Sequence, residues 1–191
     1  QFESTDHVLL FFPDSMDSVK SIGQQVSYLA IAEIDFARLS TMRMMIQNLE
    51  NVSFYDPLLK PETNAFDKVV LFAPKGRVFA RFLLRNAAMA LRIQGHLYVV
   101  GSNDEGVKSV ISDADIILGN TRIVAYKKGY RIGVSTKTEL EANIPNEWGI
   151  SADTWKNIRV ETGFGDLNLM SVPGIFSWDE LDVGTEILLQ Q

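Results

Sequence analysis

Four arginines along one segment, Arg77, Arg81, Arg85 and Arg92, have the type and spacing to do chemistry, and that chemistry is contact with a polyanion. On a helix they fall within about 80° of one another, while Phe79, Phe82, Leu83 and Ala90 take the opposite side. A second group, Tyr126-Lys127-Lys128-Gly129-Tyr130-Arg131, interleaves charge with aromatic rings, which suits phosphate contact and base stacking. The chain as a whole is acidic, with 18 Lys and Arg against 24 Asp and Glu and a net charge of −6. That balance argues against a generic nucleic-acid binder. The charge is uneven, however: between Lys75 and Arg131 ten basic residues face four acidic ones, and elsewhere 8 face 20. The basic middle marks RNA contact through Lys75, Arg77, Arg81 and Arg85, with Lys127, Lys128 and Arg131 next; each group taken alone also fits a solvated surface.

Other chemistries are poorly supplied. There is no cysteine, and the two histidines, His7 and His96, stand at strand starts, so no metal site of usual spacing can be written. Asp113/Asp115 and Glu139/Glu141 read as solvated acidic pairs rather than as general acid and base. The loop Gly101-Ser102-Asn103-Asp104-Glu105-Gly106-Val107-Lys108-Ser109 nearly spells a phosphate loop, but Val107 displaces the lysine by about 100° around the opening turn. A nucleotide fold would carry a glycine-rich turn after its first strand; here that loop is Pro13-Asp14-Ser15-Met16-Asp17, with two carboxylates and no glycine. Glu33 and Asp35 stand where such folds place an acid for ribose hydroxyls, and a solvated loop is the alternative.

The elements that must position these groups alternate. Strands are expected at His7–Phe12, Tyr28–Glu33, Val52–Tyr55, Lys68–Phe72 and Leu97–Val100. Helices are expected from the Pro13-Asp14-Ser15 turn to about Val26, over Asp35–Asn48, over Val78–Ile93 with Gly95 as its stop, and opening at Gly106–Ser112. Ile123–Tyr126 and Tyr130–Val134 read as an antiparallel pair around Lys128-Gly129. Apolar strands alternating with helices predict an α/β, three-layer, Rossmann-like fold with a mainly parallel sheet, ligands belonging at the strands' carboxyl ends. From Trp155 the pattern changes: glycine and proline crowd the chain, and Ser177-Trp178-Asp179-Glu180 offers a capping-box helix start. No apolar run reaches the length of a membrane span, and the opening does not resemble a signal peptide, so a cytoplasmic protein is expected. The final segment, Glu186-Ile187-Leu188-Leu189-Gln190-Gln191, carries no stop signal and reads as part of a longer protein.

Two stretches resemble a known family. Ala73-Pro74-Lys75, the helix after it and Gly95–Ser109 resemble the N-terminal half of the small-subunit ribosomal RNA guanine-N2 methyltransferases of the RsmC type. Ser171–Leu189 is similar to the segment that leads into that family's catalytic half. The resemblance covers the chain from about Asp67 onward. It implies a class I methyltransferase fold without the chemistry over 1–165, and a connector over 166–191 leading into a C-terminal domain that binds S-adenosylmethionine and methylates a guanine amine in ribosomal RNA. It further implies that this chain binds no cofactor itself, that its partners are its own C-terminal methyltransferase domain and ribosomal RNA or the small subunit, and that Phe176, Asp182, Gly184 and Thr185 are connector candidates for the cofactor pocket of the longer protein. The residues agree with an inactive domain. The first loop lacks glycine, and the loop after the fourth strand reads Ala73-Pro74-Lys75-Gly76 where an active member carries Asn-Pro-Pro-aromatic. Two further readings stand beside this one: a purely structural module without RNA contact, and a methyltransferase with an unconventional cofactor site around Glu33 and Asp35.

Overall fold

Short apolar runs become strands buried on both faces: β1 (His7–Phe11), β2 (Tyr28–Ala32) and β4 (Phe66–Phe72) pair in parallel, with β3 (Val52–Tyr55) outside β2. The computed structural model describes residues 2–59, 61–150, 155–162, 165–175 and 177–189. It divides into two units, 1–145 and 146–191.

The first unit holds a seven-stranded sheet of order β3-β2-β1-β4-β5-β7-β6, in which β5 (Leu91–Ser102) runs parallel to β4, β7 (Tyr130–Thr136) runs antiparallel to β5, and β6 (Arg122–Lys127) closes the edge. Helices α1 (Met16–Gly23) and α2 (Phe36–Met45) cover one face, where Val19, Met42 and Ile46 pack with Val8, Leu10, Leu29, Ile31 and Val70. Strand alternation turns Leu9, Leu71 and Val99 to the other face. There α3 (Arg77–Ala90) and α4 (Val107–Leu118) lie side by side, and Ile111 of α4 sits where a Cβ on Gly133 of β7 would be, 2.9 Å away. This is the three-layer α/β arrangement expected from the sequence.

Several boundaries differ from the expectation. The helix over Val78–Ile93 ends at Ala90, and β5 begins at the next residue rather than at Leu97, because Leu91 pairs with Phe66 of β4. Gly95 is therefore not a helix stop: a Cβ there would meet the carbonyl oxygens of Asp67 and Arg92 at 2.9 Å, so its bare Cα lets β5 bulge past β4 before the ladder resumes at Lys68/His96. Helix α2 ends at Met45, short of Asn48.

The second unit contains an antiparallel pair, β8 (Lys156–Thr162) with β9 (Gly165–Ser171), and α5 (Val183–Leu189). Its register places Ile158 and Val160 opposite Leu169 and Leu167, giving the ribbon one apolar face. The Arg159–Asp166 ion pair lies across the ribbon. The 165/166 boundary expected from the sequence falls at the start of β9, inside this unit. Ser177–Glu180 is not the expected helix start; it forms turn and bend, and α5 begins after Asp182.

Candidate functional site

The carboxyl ends of β1 and β2 define the place where this architecture would seat a nucleotide-like ligand. After β1 the backbone passes through Phe12 with φ +53, a left-handed conformation costly for a bulky side chain, and the Phe12 ring packs on Phe79 of α3 with centroids 5.8 Å apart. Ser15 then caps α1, its Oγ accepting from Ser18 N–H. Glu33 and Asp35 are both engaged in holding local structure. Glu33 Oε1 accepts from the amides of Ile34 and Asp35, each at 3.0 Å, and Asp35 caps α2 by accepting from Ala37 and Arg38. Arg38 joins the two loops: its Nε lies 3.0 Å from Glu33 Oε2, and its Nη2 donates to the Pro13 carbonyl at 2.5 Å. The side chain thus bridges the turn after β1 and the end of β2. Where such folds place an acid for ribose hydroxyls, Glu33 is ion-paired to Arg38, and the first loop offers a phenylalanine and carboxylates instead of a glycine cradle, so the residues present do not fit S-adenosylmethionine.

The loop after β4 runs through Pro74 and Lys75 to Gly76, whose φ of +89 turns the chain into α3. Lys75 is exposed and lies 3.5 Å from Glu105. In the near-phosphate loop, Val107 is fully buried and Lys108 points to water, in keeping with the spacing. Among the described residues no group of three or more His, Asp or Glu could hold a metal ion, and no helix is long and apolar enough to cross a membrane.

The arginine stripe does not form a free surface. Arg77 and Arg81 both close on Asp113 of α4: Arg77 donates to its two oxygens at 3.0 and 2.8 Å, and Arg81 at 3.0 and 3.3 Å. Asp113 has no exposed surface, so its reading as a solvated partner of Asp115 is corrected. Burial pushes its carboxyl upward, but the hydrogen bonds from the two guanidinium groups outweigh that and hold it below the ordinary carboxylate range. Asp113 in turn raises Arg77. Arg85 is 5% exposed, donating to the Asn86 side chain, and so cannot belong to a solvent-facing stripe. Arg92 lies on β5 and pairs with Asp67. A helical wheel registers angles but not what the neighbouring helix offers, and Asp113 was the missing partner.

The hairpin keeps its basic residues at the surface. Lys127 and Lys128 are exposed at the tip, where Lys128 and Gly129 take φ of +51 and +82, the geometry of a tight two-residue turn. Arg131 donates from Nε to Asn103 Oδ1 at 2.6 Å and places its guanidinium 4.9 Å from the Tyr126 ring centroid. The structure thus brings Lys127, Lys128 and Arg131 together and separates them by role from Arg77, Arg81 and Arg85. In the second unit Asp182 accepts from the amide and hydroxyl of Thr185 at 3.2 and 2.6 Å, which caps α5 and lowers its own carboxyl. Gly184 lies within that cap. Phe176 lies outside the described residues.

A buried lysine escaped the sequence reading. Lys137, 2% exposed, donates to the Leu91 carbonyl at 2.8 Å and to Asn64 Oδ1 at 3.0 Å, tying the end of β7 to the start of β5; burial pulls its ammonium below the ordinary lysine value. Its position one residue past a strand end gives no sequence signal.

Comparison with known proteins places these features. Residues 1–122 match the family model described as the methyltransferase small domain N-terminal region. Ribosomal RNA small subunit methyltransferase C of Shewanella piezotolerans is 27% identical over 188 residues, covering 97% of this chain and 52% of its own length. The protein of the same name from Shewanella amazonensis is 34% identical over 128 residues, covering 65% of this chain and 35% of its own. The chain thus spans about half or less of the curated relatives it matches. Among solved structures, a T. thermophilus 16S rRNA methyltransferase (RsmC) in complex with AdoMet and guanosine superposes with a TM-score of 0.75 at 22% identity, over 99% of this chain and 48% of that one. The N-methyltransferase NodS of Bradyrhizobium japonicum gives a TM-score of 0.59 at 13% identity over 71% of this chain. These likenesses carry the methyltransferase fold, and the family match assigns the sequence: the chain belongs to the methyltransferase small domain N-terminal family.

Proposed function

We propose that this chain is a non-catalytic domain that supports a following methyltransferase domain and contributes contacts to its ribosomal RNA substrate. The observation that carries the non-catalytic part is the Arg38 bridge from the Pro13 carbonyl to Glu33, across the loops where a cofactor would sit. It also counts against a methyltransferase using an unconventional site at Glu33 and Asp35, since both carboxylates hold local structure. The RNA contact falls on Lys127, Lys128 and Arg131, with Lys75 and the half-exposed Arg77 flanking them; Arg85 drops out. Asp182, Gly184 and Thr185 belong to a connector toward the catalytic half, where the Asp182 cap fixes the start of α5.

S-adenosylmethionine titrated into the 191-residue chain by calorimetry tests the first part. No heat is expected at roughly millimolar ligand; binding at micromolar concentration would overturn the reading. A second reading, a structural module without RNA contact, is favoured by the neutralisation of Arg77 and Arg81 on Asp113. The two separate on RNA affinity: the structural module binds no RNA at low salt.

A further inference from the structure

We infer that the tip of the β6–β7 hairpin is a stacking site for an unpaired RNA strand, in which the exposed ring of Tyr126 takes a base face and Lys127 and Lys128 take the flanking phosphates. This rests on the RNA contact proposed above and names the kind of RNA. Tyr126 is 62% exposed and Tyr130 53%, although both belong to a strand pair that could have turned them toward the core. Tyr126 stands directly opposite Arg131, and Tyr130 directly opposite Lys127, so each ring is flanked by a cation across the ladder and the two rings lie on opposite faces of the ribbon. The site is held rigidly. Arg131 lies over the Tyr126 ring and is itself fixed by Asn103, whose backbone N–H donates to the Gly129 carbonyl at 2.8 Å. A ring already fixed in place loses little freedom when a base stacks on it. No acidic residue occurs between Asp115 and Glu139, and the nearby Glu105 is paired with Lys75.

The form of the RNA follows from the aromatic component. In an A-form duplex the base faces are stacked on one another and the major groove is too deep for side chains, so exposed rings gain nothing from it. A single strand offers a free face at every base, and stacking on an aromatic side chain adds to the phosphate attraction without base specificity.

Fluorescence anisotropy with the 191-residue chain tests this, using an unstructured RNA of about 12 nucleotides and a duplex of the same length. The single strand is expected to bind more tightly than the duplex. Tyr126→Ala should weaken single-strand binding roughly 5- to 150-fold while leaving its salt slope unchanged, and Tyr126→Phe should bind as the parent does. Tyr130→Ala, on the opposite face of the ribbon, should weaken single-strand binding less than Tyr126→Ala does. Charge reversal at Lys127 and Lys128 should instead flatten the salt slope by about 0.7 for each phosphate that is no longer neutralised. If the alanine variants bind like the parent while charge reversal weakens binding, or if the duplex binds as well as the strand, the stacking inference fails and the RNA contact stands. If the parent chain binds neither RNA at low salt, both fail.

Discussion

At Asp113 one carboxylate determines how much positive charge α3 shows to solvent. It has no exposed surface and takes both Arg77 and Arg81, whose side chains reach solvent, so removing it breaks the hydrogen bonds of two guanidinium groups that can turn to water. Asp113→Ala is expected to cost about 1–3 kcal/mol in urea denaturation, with the m-value unchanged, because charge-assisted hydrogen bonds between α3 and α4 are lost. The pH dependence has a definite sign. The folded carboxyl titrates below its unfolded value, so its contribution is complete above about pH 4 and is lost as pH falls through the depressed folded value. The stability difference between parent and Asp113→Asn should accordingly shrink on acidification; a constant difference would contradict the assignment. The sequence held a signal for this. Asp113 lies about 60° around α4 from Val110, on the margin of the apolar arc of Val107, Val110, Ala114 and Ile117, where a carboxylate needs a partner. Lys137 has the same direction in a higher pH window: burial lowers its folded pKa, so the difference between parent and Lys137→Met should move in the parent's favour as pH rises from the depressed value toward about 10.4.

Elements were legible to the extent that their own residues decide them. The strand alternation, the Lys128-Gly129 hairpin turn and the buried Val107 all express local pattern, and the structure agrees with each. The end of α3 does not: nothing between Ala90 and Gly95 breaks a helix as strongly as β4 recruits a strand, so that boundary is set by Phe66 pairing with Leu91. The β8–β9 ribbon was missed for a related reason. Its polar-apolar alternation over Lys156–Glu161 is short, and the apolar alternation of its partner is confined to Leu167–Leu169. One contact between elements invites a direct test. Gly133 on β7 leaves room for Ile111 on α4, so Gly133→Ala should destabilise the first unit by about 1–3 kcal/mol, and Ile111→Ala, which removes Cγ1, Cγ2 and Cδ1, should cost less in that background than in the parent. Additive losses in the double variant would show that the two residues do not share the space.

At the scale of the whole molecule, the two units differ in what they can hold together. Residues 1–145 own a seven-stranded sheet with helices on both faces, whereas 146–191 own one strand pair and a seven-residue helix. A two-stranded ribbon is marginal in water, so a fragment of residues 1–145 is expected to unfold cooperatively, and a fragment of residues 146–191 to show no cooperative transition by circular dichroism. The first unit also has to end its sheet somewhere. β6 is one of its two edges, β3 the other: all six residues of β6 are exposed, Ile123 and Val124 among them, and its free backbone edge is a template on which another chain could add a strand. The register shift between Ile123 and Ala125 and the cations Arg122 and Lys127 are what blunt it. Lys127, proposed above as an RNA contact, would thereby also help to keep copies of the protein apart. Neutral truncation of Lys127 would remove one edge charge together with its attraction for phosphate and favour self-association, whereas reversal to Glu abolishes the attraction for phosphate and still leaves a charged edge.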